Sequence, residues 1–118
     1  MTGPPAEALL DAEGMRATAE PMLAPDAEFP VRDALKELIL LYRGNLELLI
    51  PAVEKSAFSL PRGHDARFYA LHGAGEARRK LDHAPGRDVP RLAAHAERLA
   101  RSVVCLLNHL TYLEEARP

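Results

Sequence analysis

Tryptophan is absent from this chain of 118 residues, and only three phenylalanines and three tyrosines are present. So few flat rings leave little for stacking nucleic-acid bases. The single cysteine, Cys105, excludes an internal disulfide and fits a reducing compartment. The longest core-like apolar run, Leu38-Ile39-Leu40-Leu41-Tyr42, is far shorter than the roughly 20 residues needed to span a bilayer. The first ten residues carry no basic patch and no long apolar stretch, so they do not read as a signal peptide. Neither sign of charge is in excess: the net charge is −2, which argues against a general attraction to nucleic acid or to an anionic membrane. No fixed-period repeat is visible. These absences lead to the expectation of a cytoplasmic protein with no nucleic-acid and no membrane partner. What is present is ordinary globular material, 47% apolar and of a length that fits one domain.

The clearest pattern lies near the end of the chain. Leu92, Ala96, Leu99, Val103, Leu106, Leu110 and Leu113 recur at alternating spacings of four and three, one stripe of an amphipathic helix. Ala93, Ala100, Val104 and Leu107 widen the stripe, and Asp88 is a good N-cap for it. This helix is expected to end near Glu114. A second helix is predicted from near Pro30–Val31 to about Ser59, with Pro30 in its first turn. Val31, Leu35, Leu38, Ile39, Tyr42, Leu46, Leu49, Ile50, Val53 and Ala57 share one of its faces, and Ala34, Leu41, Leu48 and Ala52 extend that face. At ~100° per residue the apolar arc is roughly 200° wide, more than one partner helix can cover. Pro51 falls away from the arc, which favours one helix bent at the proline over two separate helices. A third helix is expected over 65–83, ended by Pro85-Gly86, with small residues (Ala66, Ala70, Gly73, Ala74, Ala77) on its apolar face beside Phe68, Leu71 and Leu81. Before these, Asp11 is expected to cap a shorter helix carrying Met15, Ala19, Met22 and Leu23, distorted at its end by Pro21. The fold class is therefore all-α: an antiparallel helical bundle of three long helices plus a shorter N-terminal one. Residues 1–10 are expected to be flexible and 11–118 to form a single domain.

Four polar residues stand out as candidate ligand-binding groups: Asn45, Arg78, His95 and His109. Asn45 falls inside the apolar arc of the second helix, where a buried amide must find a partner or cost on the order of 1–3 kcal/mol. It serves either register between helices or a ligand. Arg78, like Arg67, interrupts the apolar face of the third helix and must snorkel or pair with a carboxylate, Glu47, Glu54 and Asp82 being in reach. His95, Ser102 and His109 repeat every seven residues along one edge of the last helix. The two histidines are 14 residues apart, ~21 Å along a helix axis, so they cannot share a metal. They are seam-edge histidines, one of which could serve as a general base. His72 and Glu76 could ligate together, but no third ligand is in register, and no di-metal helix signature is present. No metal and no cofactor is expected. Cys105 lacks an oriented base and reads as an inert thiol. Gly73-Ala74-Gly75 lacks the third glycine and the preceding strand of a dinucleotide loop. Arg78, Arg79 and Lys80 with Arg87 and Arg91 read as a solvated face.

Three segments carry a likeness. They are Tyr42-Arg43-Gly44-Asn45-Leu46-Glu47-Leu48-Leu49-Ile50-Pro51-Ala52-Val53-Glu54, then Gly75-Glu76-Ala77-Arg78-Arg79-Lys80-Leu81, and His95-Ala96-Glu97-Arg98-Leu99-Ala100-Arg101-Ser102-Val103-Val104 followed by His109. The chain resembles a family of short actinobacterial proteins of unknown function labelled natural-product biosynthesis proteins. The likeness runs over roughly 11–113. It implies a setting, secondary metabolism in a cytoplasm, and no established reaction. Members commonly carry His where this chain has Asn45 and Glu where it has Ala52; if those groups do chemistry in the family, the resemblance implies that this chain lacks them.

Together these readings favour a non-enzymatic accessory or binding protein in natural-product biosynthesis, acting through an apolar helical surface or pocket. The expected partners are a second copy, making a homodimer, or a small apolar metabolite or partner protein. The competing reading is a small enzyme or sequestering protein with an apolar pocket between helices, lined by Asn45, Arg78 and His109.

Overall fold

The computed structural model describes residues 10–117. The expectation of a flexible 1–10 segment lies, but for Leu10, outside the described residues; Leu10 packs against the core. Among the described residues four helices follow one another: α1 (Ala12–Leu23), α2 (Arg32–Phe58), α3 (Asp65–Leu81) and α4 (Val89–Glu115). No strand occurs among the described residues. The fold is an all-α antiparallel bundle, 46 Å along its longest axis, as befits helices of 27 residues.

Local chemistry sets the helix ends. Asp11 accepts the Gly14 amide at 3.0 Å to start α1, and Asp88 accepts the Arg91 amide at 2.9 Å to start α4. His64 performs the same task for α3, its Nδ1 accepting the Ala66 amide at 3.1 Å. The N-cap of α2 is Val31, which makes no side-chain capping bond, so Pro30 precedes the helix instead of opening it. Val31, expected on the apolar face, is exposed for the same reason. α2 runs unbroken through Pro51, which sits on the solvent side where a missing backbone donor does least harm. α3 stops two residues before the expected end, at Leu81, with Asp82 as its C-cap.

α4 is the hub, packed against each of the other three helices. All seven residues of its main stripe are buried. The small face of α3 closes on α4 and α2 through buried Ala70, Ala74 and Ala77. Phe68, expected on that face, is exposed instead, its ring edge-on to Tyr69. α1 buries Met15, Ala19 and Met22 and is stitched on by two polar contacts. Arg16 donates to Asn108 Oδ1 at 2.7 Å, and the Tyr42 hydroxyl donates to the Thr18 carbonyl at 2.8 Å. Burial raises the pKa of that hydroxyl above the ordinary tyrosine value. α2 has α3 and α4 on one side, so its apolar arc runs out into solvent: Leu41 is 44% exposed and Leu48 58%. Among the described residues no helix is long and apolar enough to cross a membrane.

Candidate functional site

The polar edge of α4 is the part of the molecule where chemistry-bearing side chains meet. A seven-residue repeat drifts only ~20° on an α-helix, so His95, Ser102 and His109 keep one azimuth, and that azimuth faces α3. Lys80 of α3 reaches across and donates to Ser102 Oγ at 2.9 Å, satisfying a hydroxyl that is otherwise buried. Gly73 of α3 leaves room for the His109 ring: a Cβ at that position would lie 2.9 Å from His109 Nε2. Two recesses line this seam and share Glu76 and Lys80. The smaller, about 310 Å³, has Ser102, Cys105 and His109 in its wall with His72 and Tyr69 opposite. The larger, about 750 Å³, includes His95, His83, Arg79, Arg91 and Arg98.

The electrostatics differ along the seam. His95 is buried, its pKa is held below the ordinary value by that burial and then by the charges of Arg43, Arg98 and His83, and its Nε2 has no partner among the described residues. Burial alone lowers the pKa of His109. The protein around the Cys105 thiol raises its pKa, with the Lys80 charge opposing only in part, so the thiolate is disfavoured although the residue reaches solvent. Glu76 is held below the ordinary carboxylate range, first by its hydrogen bond from Arg79 at 2.5 Å. His72 sits 3.8 Å from the same carboxylate, exposed. A nucleophile needs a base and a group that orients the base. Ser102 has Lys80, and no third member completes the set among the described residues.

The four sequence candidates do not converge. His95 and His109 share the seam but line different recesses. Arg78 forms a two-pronged pair with Glu54 of α2 at 2.5 and 2.6 Å, tying α3 to α2, and this hydrogen bond raises its pKa further. Asn45 is buried on α2 beside Leu41 and Leu48, and its amide has no hydrogen-bond partner among the described residues. Arg67 donates to the Leu60 carbonyl at 2.9 Å and stacks over the Phe58 ring. Among the described residues no three His, Cys, Asp or Glu side chains group as metal ligands. The Lys80–Ser102 bond and the gathering of Arg98 with Arg79 and Arg91 are features the sequence reading missed. The seven-residue repeat already carried Ser102; what it lacked was the angle at which α3 lies against it.

The chain belongs to the family of unknown function DUF6415. The match covers residues 13–115, from the first turn of α1 to the last residue of α4. No curated protein matches the chain, and no solved structure does.

Proposed function

We propose that the protein is a non-enzymatic accessory protein of natural-product biosynthesis in an actinobacterial cytoplasm, working as a homodimer whose subunits meet through the outer face of α2. The setting rests on the sequence likeness to actinobacterial proteins that carry that label. The dimer is supported by one observation: Leu41 and Leu48, with Leu40 beside them, stand in solvent on a helix whose opposite face is already filled. A contiguous apolar stripe of this kind marks an interaction surface more often than chance exposure does.

The occupant is a second copy because the stripe complements itself. Glu37, Leu41, Gly44, Leu48, Pro51 and Lys55 alternate at spacings of four and three, a single seam on the outside of α2. An antiparallel twin, with its two-fold axis at the level of Leu46, sets Glu37 against Lys55, Leu41 against Pro51 and Leu48 against Gly44. Each contact then occurs twice, as an isologous interface requires. Nothing lies within 4 Å of where a Gly44 Cβ would be, so that position is an open hole for the leucine of a partner.

Sedimentation velocity over a range of concentrations tests the reading. A dimer is expected for the native chain, and a folded monomer for the Leu41→Glu/Leu48→Glu variant. Lys55→Glu should weaken pairing, and adding Glu37→Lys should restore it. A native chain that stays monomeric at high micromolar concentration would overturn the proposal.

A further inference from the structure

The larger of the two seam recesses lies on neither leucine face. It opens where the end of α3, the 82–88 turn and the start of α4 meet, and holds about 750 Å³. Arg79 and Lys80 enter its wall from α3, Arg91 and Arg98 from α4, and the one carboxylate among the described lining residues is Glu76. Four cations against one anion form a local positive excess in a chain whose net charge is −2. Gathering like charges is unfavourable unless something negative offsets it.

The protein's own carboxylates do so only in part. Glu76 is taken up by Arg79. The Arg91 guanidinium comes no closer than 3.7 Å to the Asp88 carboxylate. Arg98 forms no ion pair among the described residues. The turn backbone is pressed onto the Arg91 stem: a Cβ on Gly86 would come within 2.3 Å of an Arg91 side-chain carbon, so this wall is close-packed. His95 completes the lining. It is 4% exposed, and its Nε2 is buried with no partner among the described residues. A buried ring nitrogen left unpaired is unfavourable, a cost that an anion oxygen accepting from an Nε2–H would recover once the ring turns toward the recess.

We infer that this recess binds a small metabolite through a phosphate or diphosphate group, with Arg91 and Arg98 as its principal charged contacts and His95 as a donor at the inner end. Guanidinium groups suit such oxygens because they present paired donors in a plane. The volume lies within the ~300–1,000 Å³ of small-molecule sites, so there is room for an organic remainder beside the phosphate. The inference does not depend on the α2 dimer; a chain that proved monomeric would leave it standing.

The test is an NMR titration of the full-length, isotope-labelled chain with pyrophosphate, with inorganic phosphate, and with sodium chloride at matched ionic strength. Saturable shifts of the Arg91 and Arg98 side-chain signals and the His95 ring are expected, at lower concentrations of pyrophosphate than of phosphate. Arg98→Glu, and separately Arg91→Glu, should weaken pyrophosphate binding by about tenfold or more, the cost of losing a charge-assisted pair. Both side chains are exposed, so the backbone amide spectrum should persist in each variant. Shifts that follow ionic strength alone, or a pyrophosphate affinity unchanged by both substitutions, would overturn the inference.

Discussion

On α2, Leu41 and Leu48 stand in water; on α4, of the same length, His95 and Ser102 are almost wholly enclosed. The two helices depart from apolar-inside, polar-outside in opposite directions, and bundle position explains both. α4 has neighbours on three sides, so even the polar edge of its stripe is covered, and its polar groups must bond across the seam or go unpaired. α2 lies at the rim, so its surplus apolar residues have no helix to meet. Departures of this kind cluster where a protein does something other than fold. The rim of α2 supports the dimer reading and the seam of α4 supports the anion reading for the same reason.

Substitutions can break or sharpen this contrast. The largest effect is expected in the hub: Leu106→Ala, at a fully buried position, should cost about 2–5 kcal/mol. Leu48→Ala should change the stability of the dilute chain by no more than about 0.5 kcal/mol. Urea unfolding of both variants compares the two faces directly. Next come the glycines. Gly73→Ala drives a methyl against His109 Nε2 and should cost about 1–3 kcal/mol. Gly44→Ala meets nothing and should stabilise the dilute chain by about 0.5–1 kcal/mol through helix propensity.

A pH series probes the seam alone. The pKa values of His95 and His109 are lower in the folded chain than in the unfolded one, so the unfolded state binds more protons as the solution is acidified. Their contribution to stability is complete above about pH 6.5 and is lost as pH falls through the lowered folded values. Melting temperatures should therefore drop on the acid side of neutrality, and His95→Leu, which removes one of the two groups, should flatten that slope. The smallest effect is expected for Glu54→Gln. It breaks the Arg78 pair, but the guanidinium is more than half exposed, so solvent screens the interaction and the loss should stay below about 1 kcal/mol by the same unfolding assay.

Much of the architecture was readable beforehand because periodicity and caps are local. The leucine stripe of α4, the Asp11 and Asp88 caps and the passage of α2 through Pro51 each depend on residues a few positions apart. The start of α2 was misplaced because a proline fits both just inside and just before a first turn. Phe68 was misassigned because α3 turns its alanines, not its ring, toward α4. The site was less legible. The arginine and lysine run at 78–80 looks like a solvated face until the 82–88 turn folds α4 back beside it and adds Arg98. Lys80 and Ser102 lie 22 residues apart, and no spacing rule within one helix relates them. Glu54 was one of three acids in reach of Arg78, and only the packing of α3 on α2 selects it.

The order of the helices has a consequence for biosynthesis. α4, the element on which the other three lean, follows them all in the chain. A growing polypeptide on the ribosome therefore carries α1, α2 and α3 for some time with their shared support still unmade. α1 has only a slight contact with α2 to fall back on in that interval. Acquisition of the native state is set to wait until α4 has been made, and the emerging chain has to keep its leucines from other polypeptides until then.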